Sequence, residues 1–432
     1  MVVLTVIFFI VCLITAFLGP FPYWPTYCLL WRSVLCPTAS GVPWQTRCRQ
    51  ALFLLRYALT APFYTLLWYL DELLFPAYRR TPVHPVFIIG QPRSGTTLLH
   101  RTLAADDQTF FAIRHIEWRY PFLTVQKVLN TTRFAQRLLR RNYWPDTEVG
   151  RRAAQMHPNT MADWEEDGIF FEERFLHHFF LFLRFPYPEI LPLVDEFREL
   201  PAAVRQHMLH THLQVIRKVA YLRNRPHAFY LSKEVTSHSK FPELLALYPD
   251  ARFIVVVRNS AHYMGSLFEL MRASTASKTG IDPTAIPGWT AAFMQRMQQD
   301  SLRLIDLCQN IIPHDRQIPV SYAYLLTHIR ITVEVIYSTL GFEPSLEFLT
   351  YLDKLDARQK TRERGYAYTD LSLPDFAAFD QFVAQVEQRF FALLPAAPVT
   401  STTSTVDVHR SNAPPNVSGS SLLHTNTSSD LI

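Results

Sequence analysis

Charge is scarce in this 432-residue chain: Asp, Glu, Lys and Arg together make up 18%, and the net charge is only +5. No long Lys/Arg run stands out, so the electrostatic footprint of a nucleic-acid partner is missing. Cysteine is scarce as well. Cys12, Cys28, Cys36 and Cys48 crowd into the first 48 residues, and only Cys308 falls in the later body. There is no C-x-x-C and no paired Cys/His spacing, which argues against a zinc site or a disulfide-built core and leaves the redox compartment open. No internal repeat is visible. What the chain does have is aromatic: Phe, Tyr and Trp reach 14%, alongside 30 prolines. That balance is apolar for a soluble enzyme and suggests contact with membrane or with a greasy ligand. The length allows one large α/β domain with additions, or two smaller domains.

The apolar excess is concentrated at the N-terminus. Val2 to Leu18 contains no charge, glycine or proline, and the first basic residue is Arg32. A spanning helix needs about 20 apolar residues, so this segment qualifies if it runs into Phe21. Neither a basic leader region nor a small-residue cleavage site is clear, which favours an uncleaved, single-pass anchor over residues 1–31. Arg32, Arg47, Arg49 and Arg56 follow it and favour a cytosolic body. The triplets NTT at Asn130, NVS at Asn416 and NTS at Asn426 favour a lumenal one, as in the ER or Golgi. The two clues conflict. A second apolar stretch, Ala51 to Phe75, is interrupted by Arg56, Pro62 and Asp71. It reads as an amphipathic segment lying on a membrane or packed on the domain, within a membrane-proximal region 32–84. The main domain follows at 85–395, and a Ser/Thr/Pro-rich tail at 396–432 need not fold.

Within the main domain, "VFIIG" (Val86 to Gly90), "FYLSK" (Phe229 to Lys233), "ARFIVVVR" (Ala251 to Arg258) and "QIPVSY" read as buried parallel strands. "KFPELLALYP", "SAHYMGSLFELMR" and "LLTHIRITVEVIYSTLGF" read as helices, the last stopped by Gly341. Strands alternating with helices predict an α/β fold: a P-loop-type parallel sheet flanked by helices, with the N-terminal membrane-anchor helix in front. Gly90 and Gly95 match the two glycines of G-x-x-x-x-G-K-[ST], but Thr96 stands where the lysine belongs. The strand "RFIVVV" ends in Arg258, where a nucleoside triphosphatase would place a magnesium-holding Asp. Backbone N–H groups of Ser94 to Thr97, their hydroxyls and a helix N-terminus still suit a phosphate. The pattern therefore predicts a phosphate-dense nucleotide bound without a metal.

These motifs carry a resemblance. "QPRSGTTLL" (Gln91 to Leu99) resembles the 5′-phosphosulfate loop of sulfotransferases that use 3′-phosphoadenosine 5′-phosphosulfate (PAPS). "VVVRNSAHYMGS" resembles their 3′-phosphate motif, in which an arginine precedes a serine by eight positions, as Arg258 precedes Ser266. "HPNTMADWEEDG", "YLSKE" and "YPDARFIVVVR" are similar to the broad, largely microbial branch of that superfamily, and the likeness covers roughly Pro85 to Phe342. It implies that Arg93, Ser94, Gly95, Thr96 and Thr97 bind the 5′-phosphosulfate and that Arg258 and Ser266 hold the 3′-phosphate. It also implies that Lys233 neutralises the bridging oxygen and that Tyr322 lies near the adenine, although the acidic residue usual after that tyrosine is missing. "ARQKTRERGY" (Ala357 to Tyr366) is a last nucleotide-contacting loop or, more simply, a solvated charge run.

Sulfuryl transfer also needs a base for the acceptor hydroxyl. Cytosolic relatives place a histidine two residues after the strand lysine, where this chain has Val235. Membrane-anchored relatives use a glutamate some twenty residues after the loop, which selects Glu117 in "RHIEWRYP", with His115 and His238 as competitors. The alternative reading of Glu117, weighed second, is a salt-bridged loop carboxylate. The Phe-dense run after "WEEDG", with Glu172-Glu173 and His177-His178, reads as a buried amphipathic helix or as the wall of a greasy pocket. A lipid-like, sterol-like or glycan alcohol is the expected acceptor. A P-loop kinase needing Mg²⁺ and a non-catalytic membrane protein on a decayed fold are the rival readings.

Overall fold

The computed structural model describes residues 3–7, 10–11, 23–36, 42–176, 182–188, 190, 197–235, 238–361 and 375–395. Five strands form one parallel sheet: β1 (Pro85–Gly90), β2 (Phe110–Phe111), β3 (Phe229–Glu234), β4 (Arg252–Val257) and β5 (Gln317–Ser321), in the order β2-β3-β1-β4-β5. Ile89 pairs with Glu234, Gly90 with Val256 and Val257 with Ser321, so these strands finish along one edge. The ends of β1, β3, β4 and β5 thus deliver the loop, Lys233, Arg258 and Tyr322 to the same side of the sheet. Such an edge is where open α/β sheets bind ligands.

Both faces of the sheet are covered, as an all-parallel sheet requires. Because successive strand side chains point to opposite faces, each strand serves two cores. Phe87, Ile89, Phe253, Val255 and Val257 join a cluster with helices Ala202–Arg223 and Trp289–Asp306. Val86, Ile88, Ile254 and Val256 join another with helices Thr96–Ala104 and Ile329–Leu340. The strand β2 is only two residues long and left no readable period in the sequence.

Five helices frame the rest of the argument: α1 (Trp44–Leu74), α2 (Thr96–Ala104), α3 (Ser260–Thr279), α4 (Ile329–Leu340) and α5 (Leu346–Lys360). The single helix expected over "LLTHIRITVEVIYSTLGF" is two, Tyr322–Thr327 and α4. The break has a cause: Asp356 Oδ1 accepts the N–H groups of Ile329 (2.7 Å) and Arg330 (3.4 Å), capping a new start.

The segment expected to be interrupted at Arg56, Pro62 and Asp71 is one continuous helix, α1. Asp71 does not break it, because its carboxylate is fully buried where it accepts from Leu123 N (2.6 Å) and Lys218 Nζ (3.0 Å). These contacts outweigh the cost of Pro62, which is about 3 kcal/mol in a helix interior. Among the described residues α1 is the one helix long and apolar enough to cross a membrane. Residues 3–7 and 10–11 are helical and exposed, but the last part of the expected anchor, from Tyr23, belongs to a separate helix, Trp24–Leu35, whose Tyr27, Leu30 and Val34 are buried in one cluster with Tyr57 and Phe175. The remaining anchor residues lie outside the described residues, as do residues 396–432.

Candidate active site

At the end of β1 the chain turns through Gln91–Gly95 into α2. The Ser94 hydroxyl donates to the Gln91 carbonyl at 2.6 Å and tightens the turn. Gly90 is required by close approach: a Cβ there would sit 2.3 Å from the Val256 carbonyl oxygen. Gly95 is required twice over, by φ = +86° and because a Cβ would meet the Tyr322 ring at 2.6 Å.

Arg93 also has a left-handed backbone, φ = +68°, which costs a non-glycine residue on the order of 1 kcal/mol. Two contacts hold it. Its Nε donates to Ser266 Oγ at 2.9 Å, and its carbonyl accepts from Arg258 Nη1 at 2.7 Å. Ser266 lies in the second turn of α3, and Arg258 just past β4. The two residues spaced eight apart therefore converge on the loop from which they are separated by more than 160 positions. The Arg258 guanidinium lies 4.3 Å above the Tyr322 ring, and its Nε is buried without a hydrogen-bond partner. A buried guanidinium N–H without a partner keeps a donor free for an acceptor that reaches it.

Lys233, at the end of β3, is 2% exposed. Its ammonium donates to Thr97 Oγ1 at 3.1 Å and lies 3.5 Å from both Glu165 Oε2 and Glu166 Oε2. The two carboxylates come from the "WEEDG" segment, which is pinned by Glu165 N to Ile113 O (3.0 Å) and Asp167 N to Lys233 O (3.2 Å). They occupy unlike environments. Burial opposes ionisation of Glu165, but Lys233, His157 and Arg101 outweigh it and hold the carboxyl well below its ordinary range. Among the described residues Glu166 has Lys233 alone against the same burial, with Glu165 and Glu234 repelling a second charge, so its pKa is pushed up to about 7. Burial alone would lower Lys233, yet the paired carboxylates raise it, and it stays a cation.

Arg93, Gly95, Arg258, Tyr322, Lys233 and the two glutamates line one cavity of about 740 Å³, whereas Ser94 and Ser266 are buried behind its wall. Arg93, Gly95, Thr96, Thr97, Arg258 and Tyr322 form one part, joined by Gln359 and Lys360 from α5. Lys360 belongs to the "ARQKTRERGY" run, of which residues 362–366 lie outside the described residues. Glu165, Glu166, Lys233, Arg101 and His157 line it as well. Its remaining walls mix Trp144, Met156, Leu183, Leu267 and Met271 with His115, Tyr143, Glu172 and Lys278. Glu172 of the Phe-dense segment thus faces the cavity, whereas Glu173 accepts from the Tyr57 hydroxyl at 2.7 Å, and His177-His178 lie outside the described residues. A smaller cavity, about 290 Å³, lies between His84, Phe229 and Arg252 at the other ends of the strands.

Glu117, expected as the base, does not line the cavity. Its carboxylate is wholly buried against Arg114 (2.9 Å) and Arg223 (2.8 Å), and it closes a cap by accepting Arg114 N at 2.8 Å. Desolvation would raise its pKa, but the two guanidinium groups outweigh that and lower it. It is the salt-bridged structural carboxylate. Glu117→Gln is therefore expected to cost about 3 kcal/mol of stability, the scale for breaking a buried pair, read as a shift of the urea midpoint. Turnover per folded molecule should stay at the wild-type level. Of the competing histidines, His115 lines the cavity with its pKa lowered to about 4 by burial, and His238 is buried away from the lining. The sequence alone assigns no role to Glu165, Glu166 or His157. The string "HPNTMADWEEDG" was the only signal, and it held no spacing rule to say which acid faces the lysine.

Fold and site together define an α/β protein that gathers a tight glycine-bounded loop, two arginines and a lysine–carboxylate cluster at the carboxyl ends of its strands. Residues 85–345 match the sulfotransferase family, and the chain belongs to it. The fold is similar to that of sulfotransferase STF1 from Mycobacterium tuberculosis H37Rv, with a TM-score of 0.57 and 17% identity over 84% of this chain and 90% of that one. It is also similar to sulfotransferase STF9 from Mycobacterium avium, with a TM-score of 0.55 and 16% identity over 85% of this chain and 96% of that one. At these identities the likeness is one of fold. No curated protein matches the chain.

Proposed function

We propose that this chain transfers a sulfuryl group from PAPS to an acceptor hydroxyl, without a metal, and that Glu166 rather than Glu117 is the base. The observation that carries the reading is the meeting of Arg93, Arg258 and Ser266 at one loop beside the Lys233–Glu166 pair. Bound there, PAPS would supply the sulfuryl group and a phosphate leaving group. The unpartnered Arg258 Nε and the Tyr322 ring, with Ser266 holding Arg93 from behind, fit a phosphorylated adenosine, and Gly95, Thr96 and Thr97, with Ser94 tightening the turn, fit its second phosphate. Arg93 and Lys233 stand where leaving-group charge would grow, and fixed cations in a buried site stabilise such charge without reorganising. Glu166, ionising near neutral pH, suits removal of a hydroxyl proton.

The mixed walls beyond Lys233 support an amphiphilic acceptor alcohol of the lipid, sterol or glycolipid kind, with glycans as the polar limit. The uncharged run Val2 to Leu18 supports a single-pass anchor near the N-terminus, and a membrane-bound enzyme would meet such acceptors in place. Nucleotide binding tests the donor side directly. Adenosine 3′,5′-bisphosphate should bind in the presence of EDTA and well above adenosine 5′-phosphate, because each lost charge-assisted bond costs about 1.5–3 kcal/mol. Arg258→Ala should remove most of that difference in titration calorimetry. Equal affinities in the wild type, or a requirement for Mg²⁺, would sink the donor assignment.

A further inference from the structure

Helix α1 has its polarity reversed. Its inward face is rich in hydrogen-bonding groups: Thr46 Oγ1 donates to Thr279 O (2.7 Å), Gln50 Nε2 to Arg184 O (2.6 Å), the Tyr57 hydroxyl to Glu173 (2.7 Å), and Asp71 holds Lys218. Its outward face carries Leu52, Leu55, Leu59, Phe63, Leu66 and Leu73, all exposed, with Leu52, Phe63, Leu66 and Leu73 at 65, 62, 65 and 76%. Their spacing of three, four or seven places all six on one side of a helix. A helix against water shows the opposite arrangement, apolar inward and polar outward. The stripe is a surface that water does not ordinarily meet.

We infer that α1 lies flat in the interface of a lipid bilayer, its leucine stripe in the acyl region and its polar face on the catalytic body. The anchorage of the inward face decides between lying and crossing. Contacts to the body run from Thr46 to Asp71, nearly the whole helix, a length of about 38 Å at 1.5 Å per residue. A helix crossing the membrane would carry Glu173, Lys218 and the sheet-covering helices into the hydrocarbon with it, which their charges forbid. Arg49 and Arg56, both exposed, border the stripe on its own side, where lipid phosphates would meet them. A bilayer is favoured over a second copy of the chain by what precedes the helix. The uncharged run Val2 to Leu18, exposed wherever it is described, needs the same solvent, and one lipid surface serves both segments.

The test uses the full-length chain with native cysteines replaced by serine, reconstituted into vesicles of phosphatidylcholine and phosphatidylserine. Nitroxide labels are placed singly at Leu52, Leu59, Leu66 and Leu73, seven residues apart, and at the exposed control Leu346. Collision with oxygen and with a water-soluble nickel chelate gives depth. All four stripe labels should be shielded from nickel at one common depth, while Leu346 stays open to it. A depth that changes steadily from Leu52 to Leu73 would mean a crossing helix and overturn the inference. Nickel access like that of Leu346 would mean water, and dipolar broadening between labels of two chains would mean a protein partner; either outcome also overturns it. None of these readouts depends on sulfuryl transfer, so the inference stands or falls apart from the proposed function.

Discussion

Glu166→Gln is expected to lower turnover at least about a hundredfold with any acceptor that supports activity, within the range a positioned base contributes. Affinity for adenosine 3′,5′-bisphosphate should be unchanged, because Glu166 touches Lys233 and not the Arg93–Arg258–Ser266 group. Glutamine keeps the shape and a carbonyl oxygen for Lys233 but cannot take a proton. The pH dependence provides the sign. The active form is the ionised carboxylate, and its pKa is raised to about 7, so the wild-type rate should climb as pH rises through neutrality and level off above it. In Glu166→Gln that limb should vanish. The same variant separates it from its neighbour: Glu165, with its carboxyl held well below the ordinary range, stays ionised across this window and cannot produce the limb. A Glu166→Gln enzyme turning over normally, with His115→Ala inactive, would transfer the base to the histidine.

The division between the two glutamates also marks where the sequence stops being readable. The donor side is written locally. Gly90, Arg93 and Gly95 stand at fixed offsets because a tight turn needs them there, and Arg258 and Ser266 keep their spacing because one strand end and one helix turn set it. Those constraints survive in a single chain read left to right. The role proposed for Glu166 does not, because it arises from an inequality: His157 and Arg101 reach Glu165, whereas among the described residues Glu166 pairs with Lys233 alone. That inequality depends on how a segment from 157 to 167 packs across β3, a contact between stretches about seventy residues apart. Glu117 shows the converse. Its offset from the loop fitted a base, but Arg223, over a hundred residues away, turns it into a structural ion pair.

The same reasoning explains the helices. Pro62 and Asp71 are local signals of a break, and local signals fail when distant partners favour continuity: Leu123, Thr124 and Lys218 all bind Asp71. In the opposite direction, residues 322–340 show an uninterrupted amphipathic period, and the break comes from Asp356, which lies in a later helix. Four of the five strands escape both problems, and only the two-residue β2 does not. Those four are buried on both faces and read as short, largely apolar runs bounded by polar turns, a pattern that needs no partner to be seen.

Lys233→Met should have the larger effect on chemistry, a loss of about a thousandfold or more in turnover, the scale of removing a preorganised electrostatic donor. Two consequences follow from one lost charge. The cation beside Thr97 disappears, so leaving-group charge is no longer met from that side. The carboxylates also lose their shared partner. Lys233 lowers the Glu166 pKa against burial and against Glu165, so without it that pKa must move up from about 7. The residual activity should therefore show its rising limb at higher pH than wild type, and raising the pH should recover part of the loss but not all of it. Met matches the length of the lysine stem, and a protonated Glu166 removes the buried charge that would otherwise be left unpaired, which limits the damage to folding. The readout is the pH–rate profile beside the calorimetric affinity for adenosine 3′,5′-bisphosphate. An unshifted limb would show that Lys233 does not set the Glu166 ionisation, and a wild-type rate would remove Lys233 from the chemistry altogether.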